Sequence, residues 1–105
     1  MQTNDIAFML ILHGGNARSK VMEALKYSRN NYFQKASEKL NEADDELEEA
    51  HKIQSDILKK EANGEDVDLS ILFVHAQDHL MTAMLARDLS QEIIDLRKTN
   101  NKQQN

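Results

Sequence analysis

His75 and His79 stand four residues apart in the run HAQDHLMT, a spacing that puts both imidazoles on one face of a helix. Two such imidazoles make part of a divalent-metal site, and Asp78, about 60° around the helix from His75, is a candidate third ligand. A solvent-reachable imidazole is also a nucleophile in its own right. It is largely neutral at pH 7, with one ring nitrogen carrying a free lone pair. It can accept a phosphoryl group in line and later give it away, a transfer that depends on positioning and anion stabilisation. A second histidine one turn away can donate a hydrogen bond to the phosphoryl oxygens. Gln77 points elsewhere on an isolated helix, with a route to such a site from a neighbouring subunit left open. Spacing alone leaves three readings open: a phosphocarrier, a metal-binding bundle using His75, Asp78 and His79, and a purely structural bundle with satisfied histidines.

Other chemistry is weakly supported. Glu48-x-x-His51 is one half-motif of a di-iron carboxylate site, which needs two such motifs and two further Glu. Ser19, Ser28 and Ser70 fall in helical or capping contexts, not on a strained nucleophile elbow. The chain has no Cys, which excludes a disulfide framework, a thiolate metal site and a cysteine nucleophile.

The histidines belong to LSILFVHAQDHLMTAMLARDL, residues 69–89, which has no Pro or Gly and an apolar residue at almost every turn. On a helical wheel Leu69, Leu72, Phe73, Ala76, Leu80 and Ala83 gather on one side. Ile71, Val74, Met81 and Leu85 gather on nearly the opposite side. A small bundle needs only one of these faces, so the second must meet something else, most simply another copy of the chain. His75 and His79 lie on the seam between the faces. Asp78 lies in the middle of the second one, where a carboxylate is costly unless it has a partner.

The 105 residues, 40% apolar and 30% charged, predict one all-α domain spanning residues 1–105. The absence of Pro and the presence of only three Gly argue against a sandwich or barrel. A net charge of −5 argues against nucleic-acid binding, because phosphate backbones need a basic face. No stretch approaches the ~20 apolar residues of a membrane span, so a cytoplasmic location is expected.

The first helix is predicted over 5–29, begun by a cap at Thr3 or Asn4, with a stripe of Ile6, Met9, Leu10, Val21, Met22, Ala24 and Leu25. His13-Gly14-Gly15 lies inside it, and two adjacent glycines predict either a kink, or close approach of a neighbouring helix, or a bare surface for a bulky group. Asn31 and Gln34 resemble a capping box for a second helix over 32–61. Its stripe is Phe33, Ala36, Leu40, Ala43, Leu47, Ala50 and Ile57, with Gln54 in the one missing apolar slot. Glu38, Glu42, Asp45, Glu46, Glu49, Lys52 and Lys59 read as a solvated opposite face. Asn63-Gly64 ends this helix, and Asp66 or Asp68 is expected to cap a third over 69–98, where Ile93, Ile94 and Leu96 continue the core side. Residues 99–105 read as a frayed polar tail. Short connections then give an antiparallel up-down-up three-helix bundle.

The run LFVHAQDHLMTAMLARDL resembles the active-site helix of the lactose/cellobiose-type enzyme IIA components of the bacterial sugar phosphotransferase system. ILHGGNARSKVMEAL resembles that family's first helix, and LNEADDELEEAHKIQSDIL its second, so the likeness spans Ile6 to Lys98. Family members often carry Ala or Ser near Gly14, a mild departure here. The resemblance implies a homotrimer of nine helices. It implies that His75 takes a phosphoryl group from the histidine-containing phosphocarrier protein and passes it to a cysteine of enzyme IIB. Enzyme IIB then phosphorylates a β-glucoside, cellobiose, chitobiose or lactose-type sugar entering through the membrane enzyme IIC. Gln77 and His79 match neighbours that orient the imidazole and phosphoryl group. Asp78 matches a carboxylate at the trimer axis that can hold a divalent cation, magnesium being the expected one. The lack of Cys requires enzyme IIB to be a separate chain.

Overall fold

A computed structural model describes residues 3–104, with side chains from 4 to 102. It contains three helices, α1 (Thr3–Arg29), α2 (Phe33–Ala62) and α3 (Ile71–Gln104), in a rod of 58 × 20 × 19 Å. The chain runs up, down and up, so α1 and α3 are parallel and α2 is antiparallel to both, an all-α bundle as expected. Within the described residues, no helix is long and apolar enough to cross a membrane.

The termini of the helices depart from the expected caps in instructive ways. Asn31 does not open α2. It takes a left-handed conformation (φ 66°) at the end of α1, where its N–H donates to the Ser28 carbonyl and the Tyr32 N–H donates to the Tyr27 carbonyl. That paired pattern closes α1 with a Schellman turn, and the Tyr27 and Tyr32 rings pack edge-on across it. Asn tolerates the left-handed region far better than most residues, so it was taken for the turn rather than the capping box. Gly64 (φ +82°) closes α2 in the same manner. Neither Asp66 nor Asp68 caps α3: the Ser70 Oγ accepts the Phe73 N–H at 3.0 Å. Leu69 consequently lies off the helix and is 73% exposed instead of joining the core. Asn4 lies inside α1 and is not its cap, while the Thr3 side chain lies outside the described residues, as does Asn105.

The tail expected to fray stays helical to Gln104. No Gly or Pro stops it, and the Thr99 Oγ1 bonds the Asp95 carbonyl one turn back.

Two apolar clusters fill the core. One joins Ala7, Leu10, Ala50, Ile57, Phe73, Ala76 and Leu80; the other joins Ala17, Val21, Ala24, Leu40, Ala43 and Ile94. Many of these are alanines, so the backbones lie close and the predicted stripe of α2 is buried or half-buried throughout. Met22, Ile93 and Leu96 face outward, leaving Ile94 as the core residue of its run.

α1 is in extended contact with both other helices, whereas α2 and α3 meet at few points. Long polar side chains span that thin seam. Arg87 grips Asp44 through two bonds of 2.6 and 2.9 Å, which raise the arginine's pKa further. Farther along, Arg97 reaches α1 at the Leu25 carbonyl and the buried Ser28 hydroxyl.

Candidate functional site

Ser70 starts α3 so that His75 falls in its second turn, on exposed surface. His79 lies one turn further and is half-buried. Their Nε2 atoms are 3.0 Å apart and the rings meet edge to face, with centroids 4.4 Å apart. In such a contact one Nε2–H donates and the other Nε2 accepts, so each ring fixes the tautomer of the other. Thr82 braces the turn beneath, its Oγ1 donating to the carbonyls of Asp78 and His79.

Gly14 supports this turn from below. A Cβ there would sit 3.5 Å from the His79 carbonyl carbon and oxygen and 3.6 Å from the Leu80 Cα. Of the expectations for the two glycines, close approach of a neighbouring helix is therefore met at Gly14. Gly15 has nothing within 4 Å of a built Cβ and is half-buried on open surface. α1 continues unbroken through both.

The candidate residues do not all converge within one chain. Gln77 lies away from His75, and its Oε1 accepts a 2.6 Å bond from the Gln54 Nε2 of α2. Asp78 is exposed, amid Ile71, Val74, Met81 and Leu85, which are themselves 89%, 59%, 52% and 59% exposed. The second apolar face inferred from the wheel is thus uncovered by the chain's own helices. Among the described residues, no three of His, Cys, Asp and Glu gather as a metal site, so His75, Asp78 and His79 do not form a ligand trio. Glu48 and His51 lie exposed on the outer surface of α2, and Glu48 faces Lys52 instead of a di-iron centre.

Polar contacts between helices escaped the sequence, the Arg87–Asp44 and Arg97–Ser28 bonds among them, and two lie near the site. His13 bonds Glu46 at 2.6 Å, tying α1 to α2, so Glu46 is not simply solvated. The Gln54–Gln77 bond is the other, and its signal was the polar gap in the stripe of α2.

The structure thus sets an exposed His75, paired with His79, beside an uncovered apolar flank on a three-helix bundle. Residues 5–98 match the family described as the PTS system, Lactose/Cellobiose specific IIA subunit, and the chain belongs to that family. It is 44% identical over 95 residues to the lichenan-specific phosphotransferase enzyme IIA component of Bacillus subtilis, covering 90% of this chain and 86% of that protein. It is 42% identical over 93 residues to the lactose-specific EIIA component of Staphylococcus epidermidis, covering 89% of each. The crystal structure of the PTS cellobiose-specific enzyme IIA from Bacillus anthracis superposes with a TM-score of 0.93 at 40% identity, over 97% of this chain and 94% of that one. The IIA(Chitobiose)–HPr complex of the Escherichia coli phosphotransferase system gives a TM-score of 0.83 at 34% identity, over 96% of this chain and 98% of that one.

Proposed function

We propose that this chain is a cytoplasmic phosphocarrier in which His75 is the phosphoryl acceptor. The observation that carries the proposal is the exposed His75 ring held by His79 at 3.0 Å, in a chain of the lactose/cellobiose IIA family. A lone-pair nitrogen of His75 attacks the phosphorus carried by the histidine of a phosphocarrier protein of the HPr kind. The new N–P bond forms as the donor's N–P bond breaks. The donor imidazole takes up a proton at its other ring nitrogen and leaves neutral, while the other ring nitrogen of His75 releases one to water, so charge and protons balance. The group then passes to a cysteine thiolate of a separate enzyme IIB, because this chain has no Cys. From there it goes to a sugar entering through a membrane enzyme IIC. His79 orients the acceptor ring before transfer and donates to a phosphoryl oxygen afterwards, for which its Nε2 is in reach.

The apolar face of Ile71, Val74, Met81 and Leu85 is assigned to self-association as a homotrimer. The Asp78 carboxylates of the three copies then meet in an apolar setting, where like charges must protonate or share a cation. Asp78 fits magnesium by its chemistry: an oxygen donor with no side-chain partner among the described residues. A bound cation would neutralise the carboxylates and takes no part in the transfer.

The test is phosphorylation from phosphoenolpyruvate with enzyme I and the phosphocarrier protein, followed by intact mass. One acid-labile phosphate per chain is expected on wild type and His79→Ala and none on His75→Ala. Phosphate on His75→Ala but not His79→Ala would assign the other histidine. A folded wild type that takes none would reject the carrier in favour of a metal-binding or structural bundle.

A further inference from the structure

Gln54 occupies the single polar position in the α2 stripe that otherwise runs Ala36, Leu40, Ala43, Leu47, Ala50 and Ile57. An apolar residue would pack there without complication, whereas a half-buried carboxamide must find partners. It finds both on α3. Its Nε2 donates to the Gln77 Oε1 at 2.6 Å and lies 3.7 Å from the Met81 Sδ. Sulfur only accepts, and weakly, so the amide group of Gln54 is turned with its nitrogen toward α3. That orientation dictates the next one. The Gln77 oxygen is taken up facing α2, and its NH2 group is directed away from α2.

From this geometry we infer that Gln54 is a positioning residue for phosphoryl transfer, acting through Gln77: it fixes Gln77 as an outward hydrogen-bond donor. The inference rests on His75 being the acceptor and on the proposed self-association through the apolar flank, which alone brings Gln77 to the His75 of a second copy. Gln77 stands beside Met81 at the rim of the apolar flank that includes Val74, Asp78 and Leu85. It therefore sits where a second copy of the chain would cover that flank, and its amide presents to the neighbour. A donor is the polarity that phosphoryl oxygens require; an outward carbonyl would repel them. A free glutamine turns its amide either way, and the bond from α2 removes that freedom before the phosphoryl group arrives.

The variants Gln54→Met, Gln54→Glu and Gln54→Lys separate positioning from packing. Methionine keeps the length and apolar contact and removes the donor. Glutamate keeps the shape but is acceptor-only at pH 7, so it draws the NH2 of Gln77 inward and turns its oxygen out. Lysine restores a donor. Initial rates of transfer from the phosphorylated carrier protein would be measured with the native oligomer, alongside thermal melting.

Gln54→Met is expected to melt at or above the wild-type temperature. Its kcat should fall about tenfold with an unchanged KM for the carrier. Gln54→Glu should fall at least as far, and Gln54→Lys should recover part of the loss. In a Gln77→Leu background Gln54→Met should slow transfer no further. The inference is overturned by a kcat within about twofold of wild type in Gln54→Met, by a change confined to KM, or by additive losses in the double variant. A wild type that accepts no phosphate rejects the carrier assignment itself, and this inference with it. A phosphorylated wild type with indifferent Gln54 variants rejects this inference alone.

Discussion

Leu85→Lys tests the uncovered flank of α3 most directly. Leu85 keeps 59% of its surface exposed, so somewhat over half of the ~1.5–3 kcal/mol available from full burial of a leucine is still to be gained on association. That is about 1–2 kcal/mol per copy. Lysine forfeits it and adds the cost of desolvating an ammonium group, several kcal/mol if it cannot escape to water. Its long stem reaches toward the rim, which reduces that cost, so about 3 kcal/mol per copy is a fair combined figure. At 1.4 kcal/mol per tenfold, one such loss weakens association by more than a hundredfold. The chain's own bundle should hardly notice, since exposed substitutions fall within about ±0.5 kcal/mol. Sedimentation equilibrium reads the assembly, and circular dichroism of the dilute variant reads the helices. A fully helical monomer at concentrations where wild type is a trimer is the expected result. A Leu85→Lys protein that associates as tightly as wild type would show that the flank is not the interface, and a wild type that stays monomeric would remove the homotrimer altogether.

Three further outcomes follow from the geometry. Asp78→Leu should associate at least as strongly as wild type in the same sedimentation measurement, because it removes three mutually repelling carboxylates; a monomeric variant would move Asp78 off the axis. Gly14→Ala should raise the melting temperature by a few degrees, corresponding to about 0.5–1 kcal/mol of helix propensity, since its Cβ meets His79 only at an ordinary 3.5 Å; a lowered melting temperature would mean that the α1–α3 spacing cannot take a methyl group. Glu23 is held below the usual carboxylate pKa by its hydrogen bond to Lys39, so its stabilising contribution is present above the unfolded value and is lost as pH falls through the folded one. Urea unfolding between about pH 6 and pH 3 should therefore show a shallower acid slope in Lys39→Met than in wild type.

The wheel of α3 was legible because its pattern is period-driven. Phe73, Ala76, Leu80 and Ala83 are buried as a set, and Ile71, Val74, Met81 and Leu85 are exposed as a set. The helix termini were less legible, because competing caps differ by little. Asn31 had a capping-box partner in sequence, yet its tolerance of positive φ suited it better to closing α1. Asp66, Asp68 and Ser70 are all good N-caps, and only the path of the connection selects Ser70. Contacts between helices lay furthest from view. The pairings His13–Glu46 and Gln54–Gln77 depend on how α2 is rotated and shifted against its neighbours, which periodicity along one helix does not encode.

α1 is the wall that the other two helices share, and this orders the life of the molecule. With α2 and α3 barely touching, neither has much to hold it once α1 opens, so the amides of α1 should be the last to exchange with solvent. The α1–α2 hairpin brings together residues near in sequence and can close while α3 is still being synthesised. During that interval Ala7, Leu10, Gly14 and Ala17 form a bare apolar groove awaiting their third helix. α3, which carries His75 and His79, is made after the hairpin that receives it, so the Gly14 shelf beneath His79 is in place before the histidines dock.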